Sequence, residues 1–369
     1  MKTIKFNSFN NFYLEHKHEA DALITDVLNS GKYIRNKNIA QLEQNLCTLC
    51  NREYALTTAS CTDAIFFALK SAGIKPGDEV IMPSFSYIAS LSPVLMCGAI
   101  PVFADIKPDS LVLDIDIIED LINENTKAVI FVQLFGNITD LSKLQTICKK
   151  NDVVLIEDAA QGLGSKINNK NGASQGDISC ISFDPTKIVS AYGTGGAALT
   201  NDEHYFTMLQ MLIHHGRNHA GEFEVLGYNS KIPELNAALI NLQLKYLNTT
   251  LAQTNDIADS YINRLKNINE LEFVKIQKNS ISSFHKFVIK AKNRDGLKQV
   301  LAEKNIDTRI HYSPLLHQHK LLKNFKVIKH DLSVSDQTKE KVLSLPIYPG
   351  LKKDKIDYIC DCIENFYKK

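Results

Sequence analysis

The sequence predicts a large α/β domain built on a mostly parallel, mixed sheet, followed by a smaller α+β domain. Three observations carry this expectation. Short apolar runs alternate with helical patterns from about residue 54 to residue 200. Those runs are near-continuous, as strands covered on both faces require. Beyond a helical stripe that ends near residue 248, the pattern becomes a mixture of isolated strands and amphipathic helices.

The strand candidates, in chain order, are YALTTA (54–59), EVIMPSF (79–85), IPVFADI (100–106), AVIFVQLFG (128–136), VVLIEDA (153–159), ISCISF (178–183) and GGAALTN (195–201). Helical patterns over 62–72 and 141–151 lie between them. A further helix opens near Pro233, with Ile232, Leu235, Leu239, Leu242 and Tyr246 spaced for one buried stripe. In the tail, FHKFVIKAK (284–292) and IDTRIHY (306–312) read as strands. A last helix carries Ile356, Ile359, Ile363 and Phe366. The expected division is 1–248 for the large domain and 249–369 for the small one.

Lys and Arg number 42 against 41 Asp and Glu, a balance that argues against a nucleic-acid groove or an anionic membrane as partner. The N-terminal stretch MKTIKFNSFNNFYLEHKHE has no apolar run of the signal-peptide kind. The longest apolar stretch, LSPVLMCGAIPVFA, is broken by Pro and Gly and too short for a bilayer. The expectation is a cytoplasmic protein whose eight cysteines are reduced. Cys47 and Cys50 form a lone CxxC with no matching pair or spaced histidines, so they read as core filler, as do Cys360 and Cys362.

In sheets of this kind ligands gather at the carboxyl ends of the strands. Four strand ends bear chemistry. The turn TTASCTDA (57–64), with Cys61 and Thr62, opens a helix whose free N–H groups suit a phosphate, although Ser and Thr also serve as ordinary caps there. Asp158 closes a strongly apolar strand, either as a helix cap or as a carboxylate paired with a ligand cation such as a pyridinium nitrogen. Lys187 follows ISFDPT in a proline turn, with a glycine-bearing stretch beyond it. It reads either as a surface loop lysine or as a desolvated amine nucleophilic toward a carbonyl. Ser182 sits where it could meet a phosphate oxygen, and Tyr87, in PSFSYIA, is either core or a platform for a planar ring.

Taken in order, these segments resemble the DegT/DnrJ/EryC1/StrS family of sugar aminotransferases, from about residue 25 to the C-terminal end. The densest marks are SGKYI, SCTDAIFFALKSAGIKPGDEVIMPSFSYIA, VVLIEDAAQGLGS, GDISCISFDPTK, GTGGAALTND, LGYNSKIPELNAAL, HYSPLLH and LSLPIYPGL. The resemblance implies fold type I of the pyridoxal-phosphate-dependent transferases. It makes Lys187 the Schiff-base lysine and the proton carrier, and Asp158 the partner of the pyridine nitrogen. Gln161 lies where the family contacts the ring oxygen, and Tyr87 where an aromatic stacks on the ring. Cys61, Thr62 and Ser182 fall at the phosphate, and Asn229 at the phosphate of a neighbouring subunit's cofactor, which implies a homodimer with shared sites.

The implied reaction moves the amino group of L-glutamate through pyridoxamine phosphate to a keto-sugar nucleotide, giving an amino sugar for a surface polysaccharide or similar product. The TDA wording and SGKYI look more like members acting on 3-keto sugars, such as a dTDP-linked 3-keto-6-deoxyhexose, than on 4-keto sugars. A 4-keto sugar nucleotide or a ketocyclitol as acceptor, and a non-catalytic cofactor-binding sensor, are the alternatives. His311, Tyr312 and His317 match a loop near the substrate cleft, and His215 and Arg217 suit a diphosphate or a solvated helix end. The H-x5-H-x-H spacing from His311 to His319 lacks carboxylates, so no metal is expected. Cys61 stands where the family commonly has Gly, and Ile188-Val-Ser where it has Asn-Leu-Gly. A lysine at 187, rather than a histidine, argues against the dehydratase branch.

Overall fold

The protein was analysed as a computed structural model, which describes residues 3–368. Seven strands of the first half are β1 (Tyr54–Thr58), β2 (Glu79–Pro83), β3 (Ile100–Ala104), β4 (Thr126–Val132), β5 (Val154–Asp158), β6 (Ile178–Ser182) and β7 (Gly196–Thr200). Four more follow: β8 (Leu271–Phe273), β9 (Phe287–Ala291), β10 (Ile328–Lys329) and β11 (Val342–Leu345). The main sheet runs β1-β7-β6-β5-β4-β2-β3-β10. All its neighbours pair in parallel except β7, which is antiparallel to both β1 and β6.

The near-continuous apolar runs are explained by burial on both faces. Side chains alternate across a strand, and here each side meets its own core. Leu56, Cys180 and Ala198 belong to one cluster, while Ala55, Ile181, Ala197 and Leu199 belong to another on the opposite face. Helix Cys61–Ser71 packs on β6 and β7 and against helices Ile88–Met96 and Glu203–Leu212. Helix Lys37–Cys50 contributes Ile39, Leu42, Leu46 and Cys50 to the other face, where Glu234–Lys245 joins it.

A second core gathers around the antiparallel sheet β8-β9-β11. Helices Leu247–Leu265 and Arg294–Glu303 both pack on Lys353–Tyr367. Leu247 belongs to the large core, whereas Ile257, Ala258, Tyr261 and Leu265 belong to the small one. Tyr261 is buried at its centre, its hydroxyl donating to Pro346 O at 2.9 Å. Residues 315–332 return to the large core through Leu315, Leu316, Leu322 and Leu332, and β10 then extends the main sheet beside β3.

The expected strand IDTRIHY is corrected. Ile306 and Arg309 make only single bridges, to Ile4 and Ser344, and the ladder beside β9 is β11. The reason is that His311 and Tyr312 line a cavity, so the chain leaves the sheet edge at that point. All eight cysteines are free.

The last two residues of β5 are both buried carboxylates, and alternation sends them to opposite faces. Glu157 is fully enclosed. It accepts from Gln133 Nε2, Ala173 N, Gln175 N, Gly176 N and Ser179 Oγ at 2.8–3.2 Å. This ring of donors ties the loop before β6 to β5 and so fixes the strand end that carries Asp158. Glu157→Ala strands those donors in an apolar interior, and urea denaturation should show a loss of about 3–5 kcal/mol. An unchanged midpoint would remove Glu157 from this structural role.

Candidate active site

A cavity of about 650 Å³ opens at the carboxyl ends of β1, β2, β5 and β6. Of the residues singled out in the sequence, Cys61, Thr62, Tyr87, Asp158, Gln161, Ser182, Lys187, His311 and Tyr312 all line it.

After β1 the chain turns into helix Cys61–Ser71. Ser60 caps the helix, its Oγ accepting from Asp63 N at 3.1 Å. The N–H groups of Cys61 and Thr62 have no acceptor within the helix and face its positive dipole end, a ready place for an anion. Two contacts press the turn into position. Ser230 Oγ accepts from Ala59 N at 3.0 Å and donates to Asp63 Oδ2 at 2.7 Å. Gly196 opens β7 against the turn so closely that an added Cβ would stand 2.4 Å from Ser60 C and 2.5 Å from Cys61 N. The Cys61 thiol is pushed far up by burial, so it acts as packing rather than as a nucleophile.

Asp158 Oδ2 accepts from Ser90 Oγ at 2.7 Å, and Oδ1 from Ala160 N at 3.1 Å. Burial raises its pKa; these two donors and the nearby Lys187 ammonium oppose that shift. Gln161 is anchored by Phe135 N, which donates to its Oε1 at 2.7 Å, while its Nε2 donates to Tyr312 Oη at 3.2 Å. Tyr312 lies 6.0 Å from Tyr87, and both rings line the cavity; behind Tyr312, buried Phe135 stacks on it at 6.3 Å. Tyr87 is 57% exposed, a platform rather than core.

Lys187 comes from a rigid turn. Its N–H donates to Asp184 O at 2.9 Å, and Asp184 Oδ1 accepts from Thr186 N and Thr186 Oγ1 at 2.9 and 2.6 Å. Burial lowers the amine's pKa below the ordinary lysine value, against the pull of Cys61, Asp158 and Asp184. More of it is therefore neutral near pH 7 than of a surface lysine. That is the state a carbonyl needs.

The cavity also contains residues that sequence reasoning passed over: Ser90, His285, Lys286, Arg309 and the ring of Phe6. The available signal was His285 and Lys286 inside the apolar run FHKFVI, where a strand reading leaves two cationic groups to be accommodated. Burial pushes His285 well below its usual range and His311 down to about 3, so both are neutral. His311 Nδ1 lies 2.8 Å from Ser344 Oγ.

Four expected residues are not part of this chain's cavity lining. His317 lies behind it, Nδ1 2.6 Å from Ser84 Oγ and Nε2 3.6 Å from Asp336. His215, Arg217 and Asn229 are exposed; Arg217 Nε donates to Gly221 O at 3.1 Å, and Asn229 Oδ1 accepts from Lys231 Nζ at 2.7 Å.

Gly196→Ala must displace the backbone of the Ser60–Cys61 turn. We expect urea denaturation to show a loss of about 1–3 kcal/mol, the usual cost of overpacking, together with weaker binding of phosphate-bearing ligands. A variant of unchanged stability and affinity would contradict the close approach.

A neutral-prone amine, a buried carboxylate, an aromatic wall and a helix-end turn with no room for a Cβ opposite it fit the aldehyde, ring nitrogen, ring face and phosphate of pyridoxal phosphate. The chain is 32% identical over 363 residues to the UDP-2-acetamido-2-deoxy-3-oxo-D-glucuronate aminotransferase of Pseudomonas aeruginosa, covering 98% of this chain and 100% of that one. It is 31% identical over 365 residues to the dTDP-3-amino-3,6-dideoxy-alpha-D-galactopyranose transaminase of Aneurinibacillus thermoaerophilus, covering 98% and 99%. The crystal structure of NtdA from Bacillus subtilis with bound cofactor PMP superposes with a TM-score of 0.91 at 27% identity, covering 100% of this chain and 86% of that one. The fold is fold type I of the pyridoxal-phosphate-dependent transferases. The family model of the DegT/DnrJ/EryC1/StrS aminotransferases matches residues 15–364, and the chain belongs to that family.

Proposed function

We propose that this aminotransferase carries the amino group of L-glutamate to a keto-sugar nucleotide, with Lys187 as the residue that binds the cofactor covalently. Pyridoxal 5'-phosphate is its cofactor. The observation that carries the reading is the convergence of Asp158, which ends β5, and Lys187, on the turn after the adjacent parallel strand β6, in one cavity with the Ser60–Thr62 turn.

Bound there, the cofactor supplies an aldehyde that accepts the amino group and a ring that takes up the electron pair released at the substrate carbon. The chain's own groups do the rest. Asp158, whose ionised form Ser90 Oγ, Ala160 N and the Lys187 ammonium favour against burial, would hold a proton on the ring nitrogen, and that cation would in turn favour the carboxylate. Lys187 Nζ moves the proton between substrate carbon and cofactor carbon, a task its lowered pKa suits near neutrality. Tyr87 and Tyr312 would shield the ring face, Gln161 would meet the ring oxygen, and the Cys61 and Thr62 N–H groups with Ser182 Oγ would bind the phosphate.

The acceptor we favour is a dTDP-linked 3-keto-6-deoxyhexose. The sequence wording around SCTDA supports it, as does the 3-position chemistry named for both relatives, one of which acts on a UDP-linked 3-oxo-glucuronate and the other of which is named for a dTDP-linked 3-amino sugar. We further propose a homodimer in which Asn229 completes the partner's site. Supporting this, Asn229 follows a surface strap on which Phe223 and Leu226 are 73% and 83% exposed, apolar area that a second copy would cover.

Purified protein supplied with the cofactor should be yellow, and Lys187→Ala should lose that absorbance and at least about 10²–10⁴-fold of its transamination rate. A colourless wild type that ignores the cofactor would end this reading. For the shared site, Lys187→Ala and Asn229→Ala should each be impaired alone. Unfolded together and refolded, they should recover up to about a quarter of wild-type activity, because half of the random dimers carry one intact site. A mixture no more active than its parts would contradict sharing.

A further inference from the structure

The cavity contains two lysines, and the chemistry above uses one. Lys286 immediately precedes β9, is only 6% exposed and lines the same cavity as Lys187. Its Nζ lies 5.2 Å from the centre of the Phe6 ring, and Arg309 Cζ lies 5.8 Å from the same ring. Arg309 is occupied, pairing with Asp307 and donating to Thr308 O at 3.1 Å. Lys286 is not. Among the described residues its ammonium has no hydrogen-bond or ion-pair partner; the charges it feels are Lys187, which repels it, and the more distant attraction of Asp184.

An ammonium withdrawn from bulk water, with the cavity as its one open side and no partner there, is an expensive arrangement, relieved where an anion enters the cavity to meet it. The cofactor's charges are met elsewhere, by the turn after β1 and by Asp158. A single point-charge ammonium matches one carboxylate better than a diphosphate, which calls for several donors at once.

We infer that Lys286 is a specificity residue that binds a carboxylate of the reacting substrate: that of the amino donor where the acceptor is the 6-deoxyhexose favoured above, which has none, or that of a uronate sugar in its place. The inference rests on the aminotransferase reading and names what that cavity selects. Burial and Lys187 lower the Lys286 pKa to about 7, so the free cavity is charged on the acid side of neutrality and becomes fully so when a carboxylate binds. The groups facing it do not supply that charge balance: His285 and His311 are neutral, Arg309 is paired, and Lys187 adds to the positive potential.

The test uses the holoenzyme and its Lys286→Met, Lys286→Gln and Lys286→Arg variants. Glutarate and UDP-glucuronate serve as unreactive carboxylate probes, UDP-glucose as the uncharged-sugar control and L-glutamate as the reacting donor. Lys286→Met and Lys286→Gln should weaken at least one carboxylate probe by about 10- to 100-fold, with UDP-glucose binding and the yellow absorbance unchanged. Lys286→Arg should restore most of the loss. A loss confined to glutarate, with a matching rise in the L-glutamate KM but not a fall in kcat, assigns the donor's carboxylate. A loss confined to UDP-glucuronate assigns the sugar's. Changes below about twofold for both carboxylates, or an equal loss for UDP-glucose, would overturn the inference. A wild type that transaminates normally while the variants are indifferent sinks this assignment alone, whereas a colourless wild type sinks the reading beneath it.

Discussion

The site depends on one electrostatic constraint: two ionisable groups of opposite sign are held out of water, one at the end of a strand and the other on the turn that follows its parallel neighbour. Asp158 and Lys187 attract one another, yet burial outweighs that attraction at both, raising the acid and lowering the amine. Each is therefore drawn toward its neutral form until a ligand supplies the missing charge. A cationic ring nitrogen would meet the first. A carbonyl meets the second as a reaction partner. The protein can hold such groups only because the strands carrying them are rigid, packed on both faces and closed below by the satisfied carboxylate of Glu157.

The rest of the site is arranged by close backbone approach. Gly196 brings β7 onto the Ser60–Cys61 turn at a distance no other residue permits, and Ser230 fastens that turn to the strap bearing Asn229. The helix-end anion site and the surface presumed by a shared dimer are thus mechanically one piece. Lys286, Arg309, His311 and Tyr312, all well past residue 248, line the cavity together with the strand ends of the first half of the chain.

Much of this was legible from the chain. The large-domain strands were readable because burial on both faces leaves an apolar run that few other environments produce. Lys187 and Asp158 were conspicuous as polar groups ending such runs, although each had a bland local alternative, and only the ordered set of motifs separated the two. The small domain was harder. IDTRIHY has a strand's composition, but its residues leave the sheet to line the cavity, and β8 and β10 are too short to show any period. Lys286 sits in FHKFVIKAK, which reads simply as a strand, and its setting beside Phe6 and Arg309 appears only in three dimensions. His317 stood beside functional neighbours in sequence while bonding to Ser84 in space.

The central claim is that the amine at position 187 bonds the cofactor. Borohydride reduction of the holoenzyme, followed by peptide mass mapping, addresses it directly. The account predicts one stable pyridoxyl adduct, on the peptide containing Lys187. An adduct on Lys286 or any other lysine, or none at all, would contradict it.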